Sequence, residues 1–319
     1  MIGLAEIEAA RERIAGAALR TPLVRLHADD AGAPAESEIY LKLETVQPIG
    51  SFKIRGATNA VLKAPKAARE VGLVTASAGN MAQGVAWAAR DLGLSATIAV
   101  PEHAPEAKLA AIERLGGRVM KMPYDDWWRA IVTSAVDGVP GLFVHPVQDE
   151  GVMAGNGTIG LEILEDLPDP DAVLIPYGGG GLTVGIASAI RALHPATKIY
   201  AVEPETGAAL GAALAAGGPS EVDYRTSFVD GAGSRAVLEP MWPLVSELVD
   251  GAISVSREET AAAVRLLAGR VRVVAEGAGA LALAAALSGR AGTGKLVCIV
   301  SGGNINLATL AEILAGGTP

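Results

Sequence analysis

The chain holds a single cysteine, Cys298, set in the apolar run Leu296-Val297-Cys298-Ile299-Val300. One thiol cannot close an internal disulfide, which fits a reducing cytoplasm, and in such a run it reads as a small hydrophobe of a buried parallel strand. Positive charge is also short. Lys and Arg total 26 against 35 Asp and Glu, a net charge of −9, so no electrostatic footprint for nucleic acid or an anionic membrane surface exists. Uninterrupted apolar stretches of membrane-spanning length are missing too: Val271 to Leu287 contains Glu276 and repeated glycines. Met1 to Arg13 mixes acids with bases and lacks the apolar centre of a signal peptide. The four histidines, His27, His103, His145 and His194, lack metal-ligand spacing, and no internal repeat of fixed period is found.

Against those absences stand 319 residues, half of them apolar and 19% charged, enough for a large core and for two lobes. Strand and helix patterns alternate. Ile39 to Leu43, Gly72 to Thr75, Ala96 to Val100, Arg118 to Met122, Phe143 to Pro146, Ala172 to Pro176, Ile199 to Val202 and Lys295 to Val300 read as strands. Helical spacing covers Ala5 to Leu19, Ala57 to Lys63, Met81 to Leu92, Glu106 to Leu115, Tyr124 to Val136, Thr158 to Asp166, Thr183 to Leu193, Glu258 to Ala268, Gly279 to Leu287 and Leu307 to Ala315. Ala215 to Gly233 reads mostly as loop. Such alternation predicts an α/β fold of parallel strands with crossover helices.

Three junctions stand out. In Gly50-Ser51-Phe52-Lys53-Ile54-Arg55-Gly56-Ala57, Ser51 reads as an N-cap and Lys53 falls in the first helical turn, where the positive end of the dipole favours a neutral amine. Gly178, Gly179, Gly180 and Gly181, followed by Leu182, leave backbone N–H groups bare at a helix start, an anion cradle suited to phosphate. Ser77-Ala78-Gly79-Asn80-Met81 lies at another strand-to-helix junction, where a carboxylate is favoured for the same dipolar reason.

With Ser301-Gly302-Gly303-Asn304, these motifs come in an order that resembles fold type II pyridoxal-phosphate (PLP) enzymes, most closely the threonine/serine dehydratase and serine racemase branch, from about Ile14 to the chain end. The resemblance implies a tryptophan synthase β-like fold with a large lobe (1–71 and 148–319) and a small lobe (72–147), and the cofactor between them. It implies Lys53 as the Schiff-base lysine and catalytic base, a cradle of Gly178 to Gly181 and Leu182 for the cofactor phosphate, and Phe52 as a wall. Asn80 would reach the cofactor's 3-oxygen, Ser301 the pyridine nitrogen, and Gly231 and Glu276 would lie beside the cofactor. Ser77, Ala78, Gly79, Asn80 and Met81 would hold the substrate carboxylate.

The implied activity is β-elimination on L-threonine or L-serine, giving a 2-oxo acid and ammonia. Ala78 stands where serine racemases have a second serine; alanine moves no proton, so a one-base lyase is expected rather than a racemase. Met81 replaces a histidine common among relatives and leaves room for a bulkier substrate such as a phenylserine. Several relatives hold a cation beside the strand ending at Glu203; with Gly207 and Ala209 at the companion positions, no metal is expected here. Only one helix follows Asn304, so no feedback through a C-terminal regulatory domain is expected. Trp127 and Trp128 read as packing or an oligomer contact, and a homo-oligomer, dimer or tetramer, is expected.

Other classes stay open at this point. A nicotinamide-dependent dehydrogenase would use Glu203 for a ribose, although the four glycines do not spell the dinucleotide pattern. A catalytically silent PLP carrier and a β-replacement synthase are the others.

Overall fold

The computed structural model describes residues 1–27 and 32–319. Among the described residues ten strands form two sheets. The larger is built from β1 (Leu23–Leu26), β2 (Ser37–Leu43), β7 (Ala172–Pro176), β8 (Lys198–Pro204), β9 (Gly251–Val255) and β10 (Gly294–Val300), in the order β1-β2-β10-β7-β8-β9. Only β1 runs antiparallel; it pairs Leu23 with Lys42 and Leu26 with Ile39. The smaller sheet, order β5-β4-β3-β6, is all parallel and uses β3 (Leu73–Ala76), β4 (Ala96–Pro101), β5 (Arg118–Met122) and β6 (Leu142–Phe143).

Helices cover both faces of the large sheet, which is why its central strands are apolar at successive positions instead of alternating. Along β10, Leu296, Cys298 and Val300 join a core shared with Leu41, Leu174 and Val264, while Val297 and Ile299 join one shared with Val173, Ile175 and Ile186. The first core is closed by α11 (Arg257–Leu266), α12 (Gly277–Leu287) and α13 (Leu307–Leu314). The second lies under α1 (Leu4–Ile14), α7 (Glu150–Asp166), α8 (Gly181–Leu193), α9 (Ala209–Ala216) and α10 (Trp242–Leu248). Cys298 is fully buried, and burial pushes its thiol up, as an inert core residue requires.

The remaining helices are α2 (Lys53–Lys63), α3 (Lys66–Glu70), α4 (Asn80–Asp91), α5 (Glu106–Arg114) and α6 (Tyr124–Thr133). Ala57, Ala60 and Val61 of α2 share a core with Leu73, Met81, Val85 and Ile98. Trp127 packs beside Val74 and Ala76, whereas Trp128 is 44% exposed.

Several boundaries differ from the sequence expectation. Helix α7 starts at Glu150, eight residues ahead of Thr158, because its four glycines lower helical propensity while the Asp149 side chain caps it by accepting from the Val152 N–H at 3.0 Å. The strand expected over Phe143 to Pro146 ends at Phe143, since Pro146 cannot continue a ladder. Ser51 is not the N-cap of α2: Phe52 takes that place, no side chain caps the helix, and the buried Ser51 Oγ has no hydrogen-bond partner. Strands β1 and β9 and helices α3, α9 and α10 are short additions that sequence periodicity does not resolve.

A buried ion cluster ties β2, α2 and α7 together. Arg55, 1% exposed, donates from Nε and Nη2 to Glu44 at 2.8 and 2.9 Å and from Nη1 and Nη2 to Glu162 at 2.6 and 2.9 Å. Lys42 Nζ reaches Glu162 at 2.7 Å and the Thr21 carbonyl at 2.6 Å. Two cations face two anions, so the cluster is neutral, and the fork of Arg55 satisfies both carboxylates. Burial alone would raise Glu44, but Arg55 outweighs it and holds the carboxyl below its ordinary range. Removing one partner strands a buried charge. Glu44→Ala is therefore expected to lower unfolding free energy by about 3–5 kcal/mol in a urea titration of the apoprotein; a loss under about 1 kcal/mol would mean that the cluster contributes no more than a surface pair.

Candidate active site

The order β2-β10-β7 lays three strand-to-helix junctions side by side at the carboxyl edge of the large sheet, the edge where open α/β sheets bind ligands. The turn after β2 carries Lys53, Ser301 follows β10, and the glycines follow β7. Backbone bonds join the first two: the Phe52 N–H donates to the Ser301 carbonyl at 3.0 Å and the Gly303 N–H to the Gly50 carbonyl at 2.8 Å. Gly50 makes that turn at φ +70°, a conformation that only glycine adopts at ease.

Lys53 Nζ donates to the Pro146 carbonyl at 2.9 Å and lies 5.2 Å from the Phe52 ring centroid. No carboxylate pairs with it among the described residues. Desolvation brings its amine down from 10.5 to about 8, so a substantial neutral fraction is present near physiological pH. Phe52 belongs to the large-sheet core and walls the amine as well.

Sequence reasoning misses the turn beneath Lys53. His145 Nδ1 accepts from the Val147 and Gln148 N–H groups at 3.0 and 2.8 Å, which fixes the Pro146 carbonyl toward Lys53. Burial lowers the His145 imidazole below its ordinary value, so the neutral ring that can accept is favoured. The available signal is the His-Pro pair, which marks a turn better than a strand end.

Val147 also roofs the glycine loop. A side chain at Gly179 would collide with Val147, one at Gly181 would come within 2.9 Å of its carbonyl, and Gly180 sits at φ +95°. The loop opens the 13-residue helix α8, which has no side-chain cap, and Leu182 is a core residue that offers only its backbone. A Cβ on Gly178 would come within 3.3 Å of the Ala232 Cα. Bare N–H groups at a positive helix end, in a cradle that side chains would fill, fit a phosphate.

Asn80 starts α4, again without a side-chain cap, and Ser77 Oγ accepts from the Gly79 N–H at 3.2 Å. Ala78 and Met81 both turn toward the small-sheet core, Met81 at 2% exposure. The Asn80 side chain joins the sheets: its Nδ2 donates to Glu276 Oε1 at 2.8 Å and its Oδ1 accepts from Asn304 Nδ2 at 2.7 Å. Burial, then Asp230, raises the Glu276 carboxyl to about 7 against the opposing Asn80 bond. Any side chain on Gly302 would meet that carboxyl, and a Cβ on Gly231 would come within 3.5 Å of it. The expected residues thus converge, with Ser301 buried at 3% among them.

Glu203 lies apart from a ribose role. It is fully buried, with Oε1 and Oε2 accepting the Leu210 and Gly211 N–H groups at 2.7 and 2.8 Å, so both oxygens are spent on the start of α9. Burial still raises its carboxyl to about 7. Among the described residues no three of His, Cys, Asp and Glu gather as metal ligands, and no helix is long and apolar enough to cross a membrane.

An α/β enzyme with an anion cradle and a desolvated amine at neighbouring strand ends is one equipped to hold a phosphorylated aldehyde. A family model described as pyridoxal-phosphate dependent enzyme matches residues 14–302, and the chain belongs to that family. The L-threonine ammonia-lyase of Geobacter sulfurreducens is 40% identical over 317 residues, 98% of this chain and 78% of that one. The L-threonine ammonia-lyase of Thermotoga maritima is 39% identical over 99% of this chain and 79% of its own. Maize serine racemase superposes with a TM-score of 0.89 at 31% identity, covering 98% and 97% of the two chains. The processed form of threonine deaminase isoform 2 from Solanum lycopersicum does so with 0.86 at 34%, covering 98% and 92%. The fold is therefore that of fold type II enzymes, the cofactor is pyridoxal phosphate, and the nicotinamide alternative is set aside.

A lowered amine pKa has a direct readout. In the apoprotein, acylation of Lys53, followed by peptide mass mapping from about pH 6 to 11, is expected to rise with pH around a midpoint near 8, because only the neutral amine reacts. A midpoint near 10.5, the ordinary lysine value, would contradict the desolvated site.

Proposed function

We propose that this chain is an L-threonine ammonia-lyase, acting also on L-serine, in which Lys53 is the catalytic base. The single observation that carries the role of Lys53 is its amine: desolvated, and bonded to the carbonyl of Pro146, the residue before the Val147 that covers the glycine loop. Relatives that are L-threonine ammonia-lyases over nearly the whole chain support the substrate.

When bound, pyridoxal phosphate supplies an electrophilic aldehyde and a conjugated ring that takes up electron density from the substrate Cα. Gly178 to Gly181 and the backbone of Leu182 hold its phosphate, and Lys53 is its covalent anchor. Ser301, buried at the end of β10, would hydrogen-bond the pyridine nitrogen; a hydroxyl would not keep that nitrogen protonated as a carboxylate would, which suits rapid loss of a Cβ substituent over prolonged charge storage. Ser77 to Met81 orient the substrate carboxylate at the start of α4. Asn80, steadied by Glu276 and Asn304, aligns the cofactor's 3-oxygen. With the carboxylate fixed, Lys53, displaced from the cofactor by the substrate amine, would take the proton from Cα in its neutral form; the Cβ hydroxyl would leave with a proton as water, and water would then hydrolyse the released enamine to a 2-oxo acid and ammonia.

Ala78 supplies no second base on the opposite face, which favours elimination over racemisation. Met81 packs into the core between α2 and α4, so its size bears on that packing first, and threonine is preferred over a phenylserine. The division into lobes at 72 and 147 is supported by the small sheet, whose strands all lie between Leu73 and Phe143. A cytoplasmic homo-oligomer completes the reading, in keeping with the single buried thiol and the 44% exposed Trp128.

Turnover tests it. Across a panel of L-threonine, L-serine and phenylserine, the wild type is expected to release 2-oxo acid fastest from L-threonine. Lys53→Ala should lower that rate by about 10²–10⁴-fold or more; near-normal release by the variant would remove Lys53 from the chemistry.

A further inference from the structure

Helix α7 carries glycine on two faces. Toward α2, a Cβ at Gly151 would come within 3.0 Å of the Ala60 Cα, and one at Gly155 within 2.5 Å of the Arg55 carbonyl oxygen and 2.8 Å of the Gly56 Cα. Toward α8, a Cβ at Gly157 would lie 2.9 Å from the Gly185 carbonyl oxygen, and one at Gly160 2.8 Å from the Ala189 Cβ. Gly155 and Gly157 are about 200° apart round the helix, so the two neighbours press on nearly opposite sides. Each glycine costs about 1 kcal/mol of helical propensity relative to alanine. Four of them in 17 residues make sense only where two backbones must come close.

Those two neighbours are the lysine helix and the helix of the glycine cradle. Polar contacts lock the same distances. Asn156 Nδ2 donates to the Gly181 carbonyl at 3.3 Å, while its Oδ1 lies against Gly56, 2.8 Å from where a Cβ there would stand. Further along the helix, Glu162 grips Arg55, two residues from Lys53.

We propose that α7 is the gauge that sets the separation between the Lys53 amine and the phosphate cradle, with Gly155, Asn156 and Glu162 as positioning residues. This rests on the reading of Lys53 as anchor and of Gly178 to Gly181 as cradle. A cofactor fastened at both ends tolerates one spacing; a ligand fastened only by its phosphate tolerates many. Displacing α2 from α7 therefore weakens the first and spares the second.

The test compares equilibrium binding of pyridoxal 5′-phosphate with that of pyridoxamine 5′-phosphate, which has the same ring and phosphate but no aldehyde. Gly155→Ala is expected to bind the aldehyde at least tenfold more weakly and the amine within twofold of wild type. Gly211→Ala, whose Cβ would meet nothing closer than 3.5 Å, is the control and should change neither. If Gly155→Ala does not fold, judged by circular dichroism and thermal melting of the apoprotein, Glu162→Gln carries the same comparison. Equal losses for both ligands, or no loss for either, overturn the gauge. Lys53→Ala separates this from the underlying reading: it should bring the two affinities together. Wild-type affinities that are already equal would defeat the anchor itself, and the gauge with it.

Discussion

A primary amine serves as nucleophile and base near neutral pH when water and carboxylates are both kept from it. At Lys53 the protein meets that condition with a carbonyl, an aromatic ring and burial. A carboxylate in contact would stabilise the ammonium and undo the effect. The acidic excess of the chain is accordingly managed around the site. Glu276 is bonded to an amide and pushed toward its neutral form, and Glu203 is turned away into the start of α9.

Arg55 stands two residues from Lys53 and is buried on its own partners. Glu44 and Glu162 enclose it, and with Lys42 they form a neutral, buried cluster. Desolvation remains the cause of the Lys53 shift, with no charged neighbour contributing. The cluster also joins the end of β2 to α7, so charge balance and placement of the lysine helix come from the same bonds. The sheet order does the rest, since three junctions from distant parts of the chain meet only because β10 lies between β2 and β7.

Much of this is legible in the chain. Four consecutive glycines between an apolar strand and a helix identify an anion cradle on chemistry alone, and the strand ends at Ala76, Pro176 and Val300 can be read within a residue or so. What escapes is structure whose cause is distant in sequence. The first eight residues of the helix at Glu150–Asp166 are hidden because its glycines answer to α2 and α8, not to local propensity. The His145 turn reads as strand, and its function depends on Lys53, 93 residues away by the Lys53 to Pro146 bond. Arg55, Glu44 and Glu162 are ordinary charges until the fold brings them together, and Ser51 reads as a cap because a serine before a helix usually is one.

One covalent attachment underlies the whole mechanism, and reduction can record it. Wild-type holoenzyme treated with borohydride, digested and mapped by mass spectrometry should carry the reduced pyridoxyl group on Lys53 alone. Modification of a different lysine, or a holoenzyme whose colour survives reduction with no lysine modified, would contradict it.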